Sequence, residues 1–191
     1  MTLYLASTSR YRQELLERLR IRFLVEAPGV DEQALADETA AESALRLAEQ
    51  KARAVGARHP GTLVLGSDQV AALKDRRFGK PGTVNVAVEQ LQASSGRTLE
   101  FVTAVCLFDG RTGRVRSHLD STFVSFRALT LEEIERYVTA DSPLDCAGSF
   151  RSESLGTSLV DSMRSDDPTA LVGLPLIGTA RLLREAGLFI P

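Results

Sequence analysis

The stretch TLYLASTSRYRQELLERL, residues 2–19, decides what kind of fold this chain adopts. TLYLA reads as a short buried strand, and Ser7-Thr8-Ser9 as a polar turn. Leu15, Leu16 and Leu19 then recur at helical spacing, with Ser9 placed to cap the helix. Strand, small-residue turn and helix start make the β-α step of an α/β protein. The same step poses a charge problem. Arg10 and Arg12 stand at the helix N-terminus, where the backbone dipole is already positive and cations are disfavoured. Two readings fit. One is an anion cradle, with free backbone N–H groups, three hydroxyls and two guanidinium groups converging. The other is a capped surface helix whose arginines reach solvent or nearby carboxylates.

Outward from this stretch, strand-like and helix-like segments mix without a strict repeat. RFLVEAP (22–28) reads as a strand and GVDEQALADET (29–39) as a carboxylate-bearing loop. Residues 42–58 predict a helix, with Glu42/Arg46 and Glu49/Arg53 at the supportive i, i+4 spacing. TLVLGSDQVAAL (62–73) is a buried strand running into a polar interruption. Val84, Val88 and Leu91 mark another helix, ending before SSG. TLEFVTAVCLFD (98–109), the turn GRTG and RVRSHLDSTFVSF (114–126) predict a long antiparallel hairpin. Thr130 and Glu133 form a capping-box pattern. A loop-rich segment follows, and a last helix runs from Pro175 to about Gly187. The expectation is an α/β fold with a mixed, partly antiparallel sheet.

With 191 residues, 43% of them hydrophobic, the chain is long enough for one domain with a real core, and no domain boundary is visible. A net charge of −2 with interleaved signs argues against a general nucleic-acid or anionic-membrane surface, though not against a local basic pocket. Cys106 and Cys146 lack CxxC spacing or a histidine close in sequence, so neither a disulfide framework nor a zinc site is expected. No signal-peptide pattern opens the sequence, and no apolar window approaches the roughly 20 residues a membrane span needs. The expected compartment is the cytoplasm.

Asp68 is the second site candidate. It follows Leu63, Val64 and Leu65 at the end of a buried strand, where a carboxylate needs a cation, a metal or hydrogen-bond donors. Gly66 points to close approach by another group. A turn aspartate capping backbone amides is the alternative. Lys80 lies in the constrained FGKPGT loop, and Lys51 sits one helical turn from Leu47. Most lysines in such places are surface residues draping their stems over the core, and alone neither is informative. Asp31 and Glu32 follow a strand and have the chemistry to share a magnesium ion with Asp68, though an ordinary acidic loop has the same spacing. There is no P-loop motif and no GxGxxG, and His59 and His118 lack a nucleophile partner in sequence.

Taken in order, LASTSRYRQELLERL, VDE, RLAEQKA, GSDQV, GKP, CAGSFRSES and DPTALVGLPL resemble the Maf family of nucleoside triphosphate pyrophosphatases over nearly the whole chain. GSDQV, CAGSF and Glu153 look most like the YceF-type branch, whose implied substrate is 7-methyl-GTP; other branches prefer dTTP, UTP or CTP. The resemblance implies a single Maf-like domain over residues 1–191, with two lobes around a central cleft, like inosine triphosphate pyrophosphatases. It also implies hydrolysis between the α and β phosphates, a divalent metal (Mg2+ or Mn2+), a nucleotide substrate and a homodimer. By position, Asp68 matches the general base and Glu32 belongs to the catalytic and phosphate-binding set; Glu32 and Asp68 are the expected metal ligands. Ser7, Arg12, Lys51 and Lys80 match the catalytic and phosphate-binding set, and Tyr11, Gln69 and Glu153 the positions of base selectivity. Arg10 stands where the family usually has proline. A non-catalytic nucleotide-binding regulator of septum formation is the competing function. It has no need of Asp68, since a carboxylate beside the cationic cradle weakens anion binding.

Overall fold

The computed structural model describes residues 1–33, 35–74 and 76–191; Ala34, within the acidic loop, and Asp75 lie outside the described residues. The first strand, β1 (Leu3–Ala6), leads through the Ser7-Thr8-Ser9 turn into α1 (Arg10–Glu17). Ser9 caps that helix as expected, its side chain accepting from the Arg12 amide. After β2 (Leu24–Glu26), which is shorter than the predicted strand, comes α2 (Ala40–Arg58). The helix starts two residues before Glu42 because Thr39 and Glu42 form a reciprocal capping box. This corrects one expectation. Glu42 is consumed by the cap, and Arg46 pairs with Glu38 instead. The Glu49–Arg53 pair forms as predicted, at 2.6 Å.

The remaining elements are β3 (Leu63–Leu73), β4 (Arg76–Phe78), α3 (Val84–Ser94), β5 (Thr98–Asp109), β6 (Arg114–Phe126), α4 (Leu131–Asp141), β7 (Val160–Arg164) and α5 (Leu176–Glu185). The two long strands β5 and β6 are sheet neighbours joined by residues 110–113, which is the expected hairpin. Thr130 and Glu133 make their capping box on α4. Neither β4 nor β7 was expected. Strand β4 is three residues long, and all but the first residue of β7 are exposed, so neither carries an apolar run.

Among the described residues, seven strands form one mixed sheet in the order β2-β1-β3-β5-β6-β7, with β4 paired to β3. Strand β1 runs parallel to β2 and to β3, with Leu5 opposite Val25 and Leu65. The β3–β4 and β6–β7 pairs are antiparallel. The α/β class with a mixed, partly antiparallel sheet is as read from the sequence.

The chain divides into two compact units. The first comprises Met1–Gln69, Thr103–Asp120 and Asp167–Pro191. Its core packs Leu3 and Leu5 of β1, Leu15 and Leu16 of α1, Leu63 and Leu65 of β3, Val105 and Leu107 of β5, and Leu182 and Leu183 of α5. The second comprises Val70–Val102 and Ser121–Asp166. There α3 packs on α4, and Phe150 lies against Phe101 and Phe126 at ring-centroid distances of 5.9 and 5.3 Å. Among the described residues, no helix is long and apolar enough to cross a membrane.

Candidate active site

In the first unit the site is built on the close contact of α2 with β3. Gly66 makes that contact possible: a Cβ there would lie 2.2 Å from the Ala48 carbonyl and 2.7 Å from the Ala52 amide. The group that approaches the Gly66 backbone is therefore the helix itself. Side chains alternate along a strand, so Asp68 shares the face of Gly66. Lys51, between Ala48 and Ala52 on α2, is brought onto that face. Its ammonium lies 2.7 Å from Asp68 Oδ1 and 2.8 Å from Glu32 Oε1. Lys51 and Asp68 are buried, at 3% and 6% exposure, whereas the Glu32 side chain is 50% exposed. Lys51 is thus no draped surface lysine; it neutralises a carboxylate that burial would otherwise penalise. Asp68 Oδ2 accepts no hydrogen bond from the described residues.

The β1–α1 turn supplies the second part. Ser7 is buried, and its Oγ accepts from the Ser9 amide at 3.1 Å. The two arginines separate in role. Arg10 is 81% exposed and bridges to Glu14 at 2.9 Å, which is the surface reading. Arg12 is half-buried, and its Nε donates to the Gly173 carbonyl at 2.8 Å. Among the described residues it makes no salt bridge. Burial lowers the proton affinity of its guanidinium, while the nearby charges of Asp68 and Glu32 partly offset that cost. A desolvated cation that no carboxylate hydrogen-bonds is a ready anion ligand. Tyr11, half-buried, occupies the second position of the same helix. Gln69 follows Asp68 on β3, with its amide nitrogen on the main chain at Ala170 (3.0 Å) and Leu171 (2.9 Å).

Lys80 and Glu153 belong to the second unit. The loop bearing Lys80 is pinned on both sides: the Gly79 carbonyl accepts from the Gly148 amide at 3.3 Å, and the Gly82 amide donates to Leu144 at 3.0 Å. Lys80 itself is exposed. Glu153 is exposed as well, with Ser152 Oγ donating to it at 2.9 Å. Its loop is stapled to the end of α4, where Arg151 Nη1 meets the Asp141 carbonyl at 2.7 Å and Ser154 Oγ meets Asp141 Oδ1 at 2.6 Å.

A thiol nucleophile does not fit. Both cysteines are free, and burial pushes each thiol up to about 12. Both histidines are otherwise engaged. His59 stacks on Tyr4 at 4.1 Å and contacts Glu26, while His118 Nδ1 lies 3.1 Å from Arg181 Nη2. Asp31 accepts from the Gln33 amide at 2.9 Å, the ordinary turn role. Among the described residues no three His, Cys, Asp or Glu side chains form a metal-holding group. The donors present still suit a hard divalent ion, which is held by one or two carboxylates plus substrate phosphates. Glu32 and Asp68 are such a pair.

The role of Gly173 was missed from the sequence. Its carbonyl holds Arg12, and no side-chain chemistry announces a functional carbonyl. Asp167 was also missed. Its Oδ1 accepts from the Thr169 amide at 3.0 Å and its Oδ2 from the Ile177 amide at 2.7 Å, tying the 167–173 segment to the start of α5.

The family model for Maf-like proteins matches residues 2–186, and the chain belongs to that family. It is 56% identical over 189 residues to the 7-methyl-GTP pyrophosphatase of Aromatoleum aromaticum, covering 99% of this chain and 97% of that one. The protein of the same name from Burkholderia pseudomallei is 56% identical over 188 residues, covering 97% and 87%. That from Cupriavidus metallidurans is 51% identical over 185 residues, covering 97% and 93%. Among solved structures, the Staphylococcus aureus Ham1 protein aligns over 66% of this chain and 72% of its own, at 12% identity and a TM-score of 0.45.

Proposed function

We propose that this protein is a nucleoside triphosphate pyrophosphatase that hydrolyses 7-methyl-GTP to the monophosphate and pyrophosphate. The observation that carries the reading is the arrangement around Asp68: one buried carboxylate paired to Lys51, with the half-buried, unbridged Arg12 close enough to feel its charge. A pure nucleotide binder gains no affinity for the polyanion from that carboxylate. A hydrolase needs it to orient water against the α-phosphorus and accept its proton as the α–β anhydride bond breaks. The water oxygen then ends in the monophosphate, and pyrophosphate leaves.

Charge counting supports a need for positive charge beyond this group of four side chains. Arg12 and Lys51 are matched by Asp68 and Glu32, leaving the group neutral before a polyanion enters. Lys80 is assigned to the phosphate side on the family resemblance. Glu32 and Asp68 would hold a divalent cation, which supplies charge neutralisation on the phosphate oxygens. Arg12, with Nε committed to Gly173, keeps its two terminal nitrogens for phosphate oxygens.

Base choice is assigned to Tyr11 and Glu153. Methylation at N7 makes guanine cationic, which favours an aromatic face such as Tyr11. Glu153 would accept from the adjacent N1–H and N2–H groups of the guanine edge, a donor pair that pyrimidines lack. The cytoplasm and a homodimer complete the reading. The test is pyrophosphate release across a panel of nucleoside triphosphates with magnesium or manganese, for wild type and Glu153→Gln. Wild type should prefer 7-methyl-GTP, and the variant should lose that preference. Preference for dTTP, UTP or CTP would reassign the branch. Nucleotide binding without turnover would favour the regulator.

A further inference from the structure

Among the described residues no hydrogen bond or ion pair joins the segment 170–173 to Asp68 or Lys51, yet four side chains of the first unit hold it. Ser67 and Gln69 flank Asp68 on β3 and, by strand alternation, occupy the opposite face. Ser67 Oγ lies 2.8 Å from the Gly173 carbonyl and 2.7 Å from that of Ala104. Gln69 Nε2 reaches Ala170 and Leu171 carbonyls and Thr103 Oγ1, the last at 3.0 Å. Thr103 Oγ1, fully buried, lies 3.0 Å from the Ala170 carbonyl. The fourth side chain is Arg12, through Nε on the Gly173 carbonyl. Gly173 has φ +122°, a conformation in which L side chains are strained, and a Cβ there would sit 3.4 Å from Arg12 Nε.

We propose that residues 170–173 form a positioning strap for Arg12, with the Gly173 carbonyl setting the direction of the guanidinium fork and Gln69 and Thr103 holding the strap. This rests on the reading of Arg12 as a phosphate ligand. An arginine side chain has several rotatable bonds; anchoring Nε removes most of that freedom before phosphate arrives, so the two terminal nitrogens meet it preorganised. Gly173 and Thr103 are positioning residues that act through Arg12, and Gln69 acts through the strap.

The test is a set of double-mutant cycles read by calorimetric binding of inorganic pyrophosphate to the full chain. The variants are Arg12→Lys, Gly173→Ala, Thr103→Val, Thr103→Ser and the two doubles of Arg12→Lys with Gly173→Ala and with Thr103→Val. Lysine keeps the charge but lacks both the anchor and the fork. Arg12→Lys, Gly173→Ala and Thr103→Val should each weaken pyrophosphate binding by roughly tenfold, the scale of one hydrogen bond to a charged group. Each double should match Arg12→Lys alone to within about twofold. Thr103→Ser, which keeps the hydroxyl, should bind as wild type. Losses that multiply in the doubles, or Thr103→Ser binding as poorly as Thr103→Val, would overturn the strap while leaving Arg12 as a phosphate ligand. Should Gly173→Ala fail to fold by circular dichroism, the Thr103→Val cycle decides alone. Arg12→Lys binding pyrophosphate as well as wild type would overturn both this inference and the role given to Arg12.

Discussion

Replacing Lys51 with methionine removes one charge from the interior and keeps most of the stem that fills the space. The ammonium is 2.7 Å from Asp68, whose side chain is 9% exposed, and 2.8 Å from Glu32, whose side chain is 50% exposed. Truncating one member of a buried pair strands the other at a cost of about 3–5 kcal/mol. Asp68 carries that cost; Glu32 turns to water and adds no more than about 1 kcal/mol. A net loss of about 3–4 kcal/mol lowers the melting temperature of a chain this size by roughly 6–16 °C. Because the penalty is a stranded carboxylate, removing that carboxylate should recover it. The double variant Lys51→Met with Asp68→Leu should return to within about 1.5 kcal/mol of wild type, as apolar replacements of buried pairs do. It should have no hydrolytic activity. Urea denaturation of the three proteins, followed by circular dichroism and fluorescence together, measures both steps. A single variant as stable as wild type, or a double no more stable than the single, would refute the reasoning.

The other predictions concern the frame, the acid limit and the metal. Gly66→Ala puts a methyl group against the Ala48 carbonyl and Ala52 amide, neither able to step aside, so α2 must lift from β3. The expected loss is about 3 kcal/mol in urea denaturation, together with activity, because Lys51 moves with the helix. Arg111 holds Asp109 at about 2, below its ordinary 3.8, so that bond stabilises the fold in full above pH 3.8 and ceases to as pH falls through 2. Asp109→Asn should therefore have a lower urea midpoint than wild type at pH 6, with the gap narrowing between pH 4 and pH 2. Chelation should abolish pyrophosphate release. Glu32→Gln should raise the magnesium concentration for half-maximal rate by roughly tenfold or more, measured by titrating the ion at saturating nucleotide.

Much of this was legible because it is local. Ser9 and the Thr130–Glu133 pair cap helices through contacts three residues apart, and sequence spacing reports such contacts directly. Asp68 stood out because three apolar residues lead a carboxylate inward. The same logic misjudged Glu42, which had two eligible partners: Thr39 offers the backbone cap as well as a hydroxyl, and that outcompetes an exposed pair with Arg46. Lys51 was undecidable in one dimension, since a draped lysine and a buried one have the same neighbours in sequence until β3 packs on α2. Gly66 signalled a close approach without revealing that a helix makes it. Gly173 acts through a carbonyl oriented by long-range bonds from Arg12 and Ser67, 161 and 106 residues away, and such a role has no residue-type signature.

The whole mechanism turns on whether the Asp68 carboxylate does chemistry or merely balances the ammonium beside it. Substituting Asp68 by asparagine keeps the shape and removes the charge, the basicity and one proposed metal ligand, so 7-methyl-GTP binding without added metal and single-turnover hydrolysis at saturating metal should be measured on the same preparation. Undiminished or tighter binding with at least about a thousandfold slower cleavage is the predicted result, the scale of a lost base with its oriented water. Cleavage within about tenfold of wild type, at equal affinity, would assign the proton transfer elsewhere and leave Asp68 a structural counter-ion.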